Sequence, residues 1–405
     1  MISEPFDHTA ATPREMPLRT ATGRTWDAIV IGAGPAGGTA AALLAARGWN
    51  VLLLERSAWP RDKVCGGCLN AAAVSQLQAA GLAAALRRSV PLRRTVLHVP
   101  GSRPATVALP GGAAIGRKEF DSALIDEFIS RGGTFLSGVS ASLMPVVGRT
   151  PTRTIEARQG ARSVTLQARV MLACDGISGA TLAREPWAAW QVRPRSLIGV
   201  AAVAPNVDLS RGDIHMSVGP HGYVGMTRFA DDTTHLAAAI DPVACRAMGG
   251  PIASVRGIMV ACGWSAFADW SPQHPRGTTW LTRQRANLAG HRVMAVGDAC
   301  GYVEPFTGEG MAWAIAGACR AVKLLADPMT WPGDMPMRWK QLHSSTVGAQ
   351  QHRCRVIRMA LREPTVTRMG VNALRRMPWL ASLVTHASTP VRRAEVTNIR
   401  NGGHT

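Results

Sequence analysis

Two cysteines at Cys-x-x-Cys spacing lie in the segment RDKVCGGCLN at positions 61–70. Cysteines spaced in this way can ligate zinc, form a redox disulfide, or line a turn as small hydrophobic side chains. A structural zinc site needs a second ligand pair, and the other six cysteines of the chain stand singly, so no metal is predicted. The sequence indicates that residues 63–70 turn at Gly66 and Gly67 and pass across a flat ligand, with Cys65 as a pocket candidate.

A glycine-rich turn lies upstream of this segment, between two apolar runs. Residues 28–31 and 51–54 predict buried parallel strands, and an alanine- and leucine-rich stretch between them predicts a helix. The glycines have G-x-G-x-x-G spacing, which permits a tight turn, a close approach to a pyrophosphate and tight helix packing. The helix start then faces the phosphates, and an acid after the second strand can accept hydrogen bonds from a ribose. The predicted dinucleotide contacts are Gly32, Gly34, Ala36, Gly37, Glu55 and Arg56.

A second strand-to-helix turn of this kind occurs much later in the chain. Residues 293–296 predict a strand, and a helix of small residues follows it. A nicotinamide dinucleotide does not require this second glycine-rich unit, whereas the longer FAD molecule does, so FAD is predicted. The aspartate of the turn can accept hydrogen bonds from ribityl hydroxyls, and the helix start can face the flavin N1/O2 edge; the alternative is a surface loop entering a core helix. The predicted contacts are Gly297, Asp298, Gly308, Gly310 and Met311.

Four motifs together resemble a known family. In order along the chain, GAGPAGGTAA, GRKEFD, CDGISGATLAR and GDACGYVEPFTGEGMAWA are similar to the signatures of the para-hydroxybenzoate-hydroxylase-like flavoproteins, over roughly residues 26–325. The resemblance implies FAD as cofactor and NAD(P)H as a transient reductant. It also implies that Arg117 lies beside the pyrophosphate or ribityl chain, that Asp175 lies near the flavin, and that Pro305 lies under the ring as a pocket candidate.

Arg117 and Asp175 also have interpretations that do not depend on the family. Arg117 begins a helical pattern, where its guanidinium can bind a phosphate through two hydrogen bonds or simply be solvated. Asp175 follows the apolar run 170–173 and precedes Gly176, at a strand-to-turn junction typical of functional sites in open sheets. The alternative for Asp175 is an aspartate that opens a turn or caps the next helix.

Length and patterning predict an α/β enzyme with more than one domain. The 405 residues are expected to form a Rossmann-like FAD-binding domain (25–184 and 285–325), a mixed β-sheet substrate domain (185–284) and C-terminal helices (326–405). Residues 1–24 are polar and predict a disordered tail. Eight unpaired cysteines and the lack of a signal-peptide pattern favour the cytoplasm, and no apolar run reaches the ~20 residues of a spanning helix.

The net charge of +19 is concentrated near the C-terminus. Residues 353–361 fit a helix with an apolar stripe, and arginines also bracket a second apolar piece at 375–393. Such segments suit contact with a membrane surface, an acidic carrier protein or a negative substrate, and the alternative is a solvated helical cap. Nucleic acid is not predicted, because no aromatic stacking array accompanies the charge. The basic residues of this region are Arg338, Lys340, Arg353, Arg355, Arg358, Arg362, Arg368, Arg375, Arg376, Arg392 and Arg393, against Glu363.

The region 185–284 is expected to select a hydrophobic small-molecule substrate. It contains several tryptophans, which are interpreted mainly as core, and the stretch HGYVGMTRF, in which Tyr223 is a pocket candidate. Related geranylgeranyl reductases have bulky residues where this chain has Gly225 to Thr227, and their K-x-C-G-G motif resembles residues 63–67. The second cysteine of disulfide reductases and the lysine and WxWxIP motif of halogenases are missing, so both classes are disfavoured.

The predicted function is that of a NAD(P)H-driven, FAD-dependent monooxygenase acting on an aromatic or polyketide-like hydrophobic molecule. One alternative is a reductase of a prenyl or other carbon–carbon double bond. A second is a flavin electron carrier to a quinone or a protein partner. No histidine or tyrosine is assigned as general base, because flavin chemistry chiefly requires a dry pocket and oriented dipoles.

Overall fold

The computed structural model describes residues 17–63, 65–146, 148, 150–304, 306, 308–361 and 363–377, with the side chains of 357–361 excepted. Its helices are α1 (Pro35–Ala45), α2 (Ala71–Ala79), α3 (Arg117–Ser130), α4 (Pro242–Ala247), α5 (Pro251–Ala261), α6 (Gly310–Leu324), α7 (Met335–His343), α8 (Ala349–Leu361) and α9 (Pro364–Arg376). Its strands are β1 (Thr25–Ile31), β2 (Val51–Leu54), β3 (Cys68–Asn70), β4 (Val90–Pro91), β5 (Arg94–His98), β6 (Ala105–Ala108), β7 (Gly112–Ala114), β8 (Thr134–Leu136), β9 (Ser140–Leu143), β10 (Arg153–Gln159), β11 (Arg162–Ala173), β12 (Trp190–Val192), β13 (Ile198–Val203), β14 (Asp213–Gly219), β15 (Gly222–Arg228), β16 (Thr234–Ile240), β17 (Arg276–Trp280), β18 (Arg283–Arg285), β19 (Ala289–Gly290), β20 (Val293–Ala295) and β21 (Gly301–Tyr302).

The first sheet brings the predicted motif turns to one edge. Its strand order is β19-β20-β11-β1-β2-β8, and the pairs from β20 to β8 are parallel. These strands are apolar on both faces because helices cover the sheet, as in doubly wound folds. In register, Ala295, Ala173, Ile31 and Leu54 lie side by side at the carboxyl ends. The next residues along each strand therefore form a common crevice.

A second sheet lies beside the first. Its order is β17-β13-β16-β15-β14-β5-β6, so it includes β5 and β6 in addition to strands of the predicted substrate domain. Strand β5 pairs with β14 in parallel, and the Arg94 guanidinium contacts the Asp213 carboxylate at 2.7 Å. The sequence prediction did not assign β5 and β6 to this sheet, because β5 pairs with β14, more than a hundred residues away, and local patterns do not reveal such pairing; β6 joins the sheet through its hairpin with β5.

The C-terminal helices close one side of the molecule. Helix α7 continues through a π-helical turn at Ser344–Gly348 into α8, and α9 then packs against the β5–β6 hairpin. Val371 of α9 contacts an apolar cluster with Val99 and Ala105. Within the described part of the chain, no helix is both long enough and apolar enough to cross a membrane. The arginines at 362, 392 and 393 lie outside the described residues.

Residues 17–24, the end of the predicted disordered tail, are ordered in the structure. Residues 1–16 lie outside the described residues, but Leu18–Ala21 form a helical turn. Leu18 is 2% exposed, and the Trp26 indole N–H donates to the Ala21 carbonyl at 3.0 Å. The end of the predicted tail is therefore part of the core, because an apolar side chain and a carbonyl group both find partners there.

Candidate functional site

A large cavity lies between the two sheets and reaches α9, with a volume of about 1180 Å³. Most of the predicted cofactor contacts line it. Gly37 and Gly297 do not line the cavity but pack behind its wall, and Pro305 lies outside the described residues. The predicted residues that line the cavity are Gly32, Gly34, Ala36, Glu55, Arg56, Cys65, Arg117, Asp175, Tyr223, Asp298, Gly308, Gly310 and Met311.

The first glycine turn leaves open space at only one of its three glycines. Gly32 has φ +103°, and a Cβ there would overlap the Cys174 carbonyl. A Cβ on Gly37 would overlap the Gly32 carbonyl oxygen, which accounts for the tight packing of α1 on β1. At Gly34 the nearest atom to an added Cβ is an Arg117 nitrogen at 3.4 Å. The cavity side of Gly34 can therefore receive a ligand that approaches the backbone.

The start of α1 presents amide groups to the cavity. Its N-cap residue is Gly34, so no side-chain cap occupies the free backbone N–H groups of the first turn. Unpaired amides at a helix start, together with the helix dipole, favour a bound anion. This local geometry fits a phosphate group.

Several cationic side chains surround this anion site. Arg61 contacts both Glu55 and Asp121 at 3.0 Å, and Arg117 contacts Asp121 at 2.8 Å. Burial lowers the pKa of Lys63, and the nearby positive charges of Arg61, Arg117 and Arg56 lower it further. A bound pyrophosphate is negatively charged and would therefore relieve the repulsion among these positive side chains.

Sequence reasoning missed Arg61 and Asp121. Asp121 is fully buried and joins the two guanidinium groups into one ion-pair network. Burial opposes the charge on Arg117, but the Asp121 carboxylate outweighs this effect and raises the pKa of Arg117. The only local signal was the four-residue spacing of Arg117 and Asp121, which places both on one face of α3.

Glu55 binds protein groups as well as lining the cavity. Its carboxylate accepts hydrogen bonds from the backbone amides of Ala33 at 3.1 Å and Ser57 at 3.0 Å. Burial opposes its ionisation, but Arg61 and these amides lower the pKa of Glu55 overall. The ionised carboxylate therefore holds the glycine turn and the second strand end together, in the place where the sequence predicted a ribose acceptor.

Asp175 caps the following turn, as one of its two interpretations predicts, and it also lines the cavity. One carboxylate oxygen accepts from the Thr181 amide at 2.8 Å, which caps the following turn. The other oxygen is buried and has no hydrogen-bond partner among the described residues. Burial raises the pKa of Asp175 as a consequence. An unpartnered buried oxygen at the cavity wall is a position that a bound polar group would satisfy.

Asp298 lies at the end of β20, opposite the first glycine turn. It lines the cavity and is half-buried, at a turn where Gly297 has φ +66°. Burial raises the pKa of Asp298 to about 6, although Arg117 and Lys63 oppose the shift. Its carboxylate therefore lies between the cationic end of the cavity and the more apolar end.

The segment around the two cysteines lies at the apolar end. The Cys68 thiol donates to the Gly66 carbonyl at 3.3 Å and is 3.4 Å from the Thr227 hydroxyl. Burial raises the pKa of Cys68 to about 12, so it stays a thiol at neutral pH. Cys65 is half-buried and lines the cavity, and the two cysteines are not joined by a disulfide.

Aromatic and small side chains complete this end. The rings of Tyr223 and Phe306 lie 5.2 Å apart in an edge-to-face arrangement. A Cβ on Gly308 would lie 3.1 Å from the Cys68 Cβ, and one on Gly310 would lie 3.2 Å from the Tyr302 ring. The glycines let these segments approach closely, so the wall here is flat and apolar.

The arrangement fits an extended dinucleotide with a flat ring. The helix start and cations would hold the phosphates, and Asp298 would accept hydrogen bonds from the hydroxylated chain. The flat wall of Cys65, Gly308 and Gly310 would lie along the ring. The unpartnered Asp175 oxygen supports this fit independently of the motifs.

Comparisons with known proteins agree with this geometry. Residues 25–238 match the family model described as "FAD binding domain". The chain is 27% identical over 356 residues to menaquinone reductase from Mycolicibacterium smegmatis, covering 78% of this chain and 80% of that protein. It is 35% identical over 122 residues to menaquinone reductase from Mycobacterium tuberculosis, an alignment that spans only 29% of that relative.

Solved structures share the fold over nearly the whole chain. The flavin-dependent brominase Bmp2 superposes with a TM-score of 0.76 at 16% identity, covering 90% of this chain and 93% of that one. PqsL from Pseudomonas aeruginosa, a probable FAD-dependent monooxygenase, superposes with a TM-score of 0.69 at 17% identity, covering 86% of this chain and 99% of that one. At such identities the likeness shows the architecture and no more.

Proposed function

Because this chain belongs to the FAD binding domain family, we propose that it is a flavin-dependent reductase of a long, apolar, prenyl-type substrate. FAD is its cofactor and it is an FAD-dependent oxidoreductase. The choice of substrate and of reaction rests on the apolar half of the cavity, which continues beyond the predicted ring site across the second sheet to α9.

The sheet supplies a smooth apolar wall for such a substrate. Successive inward-facing positions of β14 are Ile214, Met216 and Val218, and those of β15 include Gly225. Ala239 of β16 adds a further small residue. Long apolar chains bind by burial of area, at about 0.8 kcal/mol per methylene, and need few polar contacts.

One of the relatives supports the reductase. The menaquinone reductase of M. smegmatis aligns over most of both chains. A substrate of that class, a quinone with an apolar chain, suits both the flat wall near Cys65 and the apolar wall beyond it. Lys63, Cys65 and Gly66 of the K-x-C-G-G motif line the cavity.

Reduction of a double bond requires a hydride and a proton. FAD, once bound and reduced by NAD(P)H, would supply the hydride. We propose that the Sγ of Cys65, which is half-buried and lines the cavity, donates the proton. The rings of Tyr223 and Phe306 add an apolar part to the cavity wall, against which a bound substrate would be shielded from water.

Replacing Cys65 tests the proton donor. Cys65→Ala is expected to slow substrate reduction about 100-fold, the usual contribution of a positioned acid, while FAD content stays normal. Stopped-flow absorbance of the pre-reduced flavin under anaerobic conditions measures this step. Cys319→Ala, a half-buried thiol on α6, is the matched control. An unchanged rate for Cys65→Ala would remove Cys65 from this role.

The proposed function is tested with menaquinone in detergent micelles. Anaerobic enzyme reduced by NADPH should reoxidise only when the substrate is added, and mass spectrometry of the product should show two added hydrogens. A quinone reduced only at its ring would give the same mass, so ring redox state is read separately by ultraviolet absorbance. Flavin that stays reduced in the presence of substrate would rule out the reductase.

A monooxygenase is the second candidate, favoured by the small residues that line part of the cavity. Gly199, Gly225 and Ala237 line this region, so an aromatic or polyketide-like ring system fits as well as a thin chain. Oxygen uptake with NADPH distinguishes the two functions. Substrate-stimulated uptake with one oxygen atom in the product would support the monooxygenase, and anaerobic turnover would support the reductase.

A further inference from the structure

Helix α9 forms the outer wall of the cavity at its apolar end. Residues Thr367, Val371 and Leu374 face inward and line the cavity. Val366 and Gly370 also line it, yet both are exposed to solvent. A residue that is exposed and lines the cavity marks an opening, so the cavity reaches the surface along this edge of α9.

The outer face of α9 carries both exposed apolar and basic side chains. Met369 is 73% exposed, Val366 is 49% exposed and Met377, just after the helix, is 46% exposed. Val366 and Met369 are three residues apart and lie on one face of α9, and Met377 follows the end of the helix; these three residues are the exposed apolar stripe. Contiguous exposed apolar side chains mark protein or membrane interaction sites, so this stripe is a candidate docking surface.

Charge identifies the partner. Helix α9 contains Arg368, Arg375 and Arg376 and no acidic residue, and all three arginines are exposed. A helix with an apolar stripe flanked by arginines is suited to lie in the interface of an anionic bilayer, with the methionines among the acyl chains and the guanidinium groups at the phosphates.

We propose that α9 docks the enzyme on an anionic membrane surface and that the opening at Val366 and Gly370 then faces the lipid. An apolar substrate enters the cavity from the bilayer without crossing water. This inference rests on the proposed apolar substrate, but the docking itself is independent of turnover.

Vesicle co-sedimentation of the full-length, FAD-loaded protein tests the docking in the absence of substrate. Binding is expected to vesicles of phosphatidylcholine with 30 mol% phosphatidylglycerol, and to fall at high salt and with phosphatidylcholine alone. Each arginine near an anionic surface changes partitioning about fivefold, so R368Q/R375Q/R376Q should weaken it about 100-fold. The matched control R19Q/R87Q/R88Q removes the same charge from three exposed arginines elsewhere and should weaken it far less.

Met369→Glu supplies a second variant, because it opposes insertion while changing one exposed side chain. It is expected to weaken vesicle binding at least tenfold with an unchanged melting temperature. Triple-variant binding equal to wild type, equal binding to neutral vesicles, or binding of an acidic carrier protein in place of vesicles would overturn the proposal. Turnover in detergent micelles is measured separately, so failed docking with normal micellar turnover would leave the proposed function standing.

Discussion

At the residue scale, the glycines of the first turn serve two different purposes. A Cβ at Gly37 would overlap the Gly32 carbonyl, so Gly37 is required for the fold itself. Gly34 has space on its cavity side and is required only if a ligand approaches its backbone. One motif therefore contains a packing position and a binding position, and substitution can separate them.

Gly34→Ala is expected to fold normally and to weaken FAD binding at least tenfold, because the added methyl occupies the approach of the pyrophosphate. Flavin fluorescence titration and a thermal melt measure the two effects. Gly37→Ala should instead lose about 3 kcal/mol or more of stability through overpacking. Gly333→Ala, where nothing lies within 4 Å, is the control. Normal FAD affinity in Gly34→Ala would contradict the phosphate site.

Asp298→Asn should have opposite effects on stability and on binding. The pKa of Asp298 is raised to about 6, so the ionised carboxylate destabilises the cofactor-free protein above pH 6, and this cost disappears as the pH falls below 4. The variant is expected to stabilise the apoprotein by about 1–2 kcal/mol at pH 8, after allowance for partial exposure, and not at pH 4. FAD affinity should fall about tenfold.

Urea unfolding of the apoprotein at both pH values and FAD titration at pH 8 measure these effects. The control is Asp334→Asn, which removes one negative charge from an exposed ion pair with Arg338. Equal stability changes at the two pH values would show that Asp298 is not the group responsible.

At the element scale, the site depends on strands that end together. Strands β1, β11 and β20 are parallel neighbours, and Gly32, Asp175 and Asp298 follow their carboxyl ends. Ligands of open α/β sheets bind in this crevice. The second sheet is held in the same way by pairing between distant strands, since β5 and β14 join residues of two separate segments.

Two histidines at the contact between β5 and β14 predict that the stability of the folded protein depends on pH. His98 Nε2 and His215 Nδ1 are 3.0 Å apart, beside Trp264. Burial, with a smaller effect of His215, lowers the pKa of His98 to about 4. In the unfolded chain the His98 imidazole binds a proton below about pH 6.5, whereas in the folded chain it stays neutral until the pH approaches 4. The free energy of unfolding is therefore highest above pH 6.5, and the contribution of His98 is lost as the pH falls towards 4.

In His98→Gln, the decrease in the free energy of unfolding between pH 7.5 and 4.5 should be smaller by about 1–2 kcal/mol. This value allows for the partial exposure of His98. Urea unfolding at both pH values measures it. The exposed His274→Gln is the matched control and should leave the pH profile unchanged. A profile identical to wild type in His98→Gln would place the acid sensitivity elsewhere.

At the scale of the whole molecule, one cavity connects the anion site near Gly34 to the surface at α9. Its walls come from both sheets and from the C-terminal helices. A substrate at the apolar end therefore contacts parts of the chain that share no local sequence with the cofactor motifs.

Gly370→Trp tests this continuity. Gly370 lines the cavity, and an added Cβ would meet nothing within 4 Å, so a large side chain can occupy the opening without disturbing the core. KM for a long-chain quinone is expected to rise at least tenfold, while KM for a short-chain analogue and FAD content stay unchanged. An equal effect on both substrates would show that the opening lies elsewhere.

The family, the α/β fold and the FAD cofactor were predictable from the sequence, and the comparisons confirm all three. They depend on glycines and aspartates whose backbone requirements are local. The roles of individual site residues stay predictions, although most of those residues line one cavity. Arg61 was not predicted, because its importance comes from Asp121, sixty residues away in sequence and 3.0 Å away in space.

By itself, the sequence determined the two glycine turns, the strands that lead into them and the basic character of the C-terminal helices, since turn geometry, apolar patterning and charge are properties of short segments. Only the tertiary structure decided that β5 and β6 join the second sheet, that Leu18 is core, and that α9 borders the cavity opening. These features arise from contacts between distant segments, whose closure depends on the folding of the whole chain and leaves no local pattern to read.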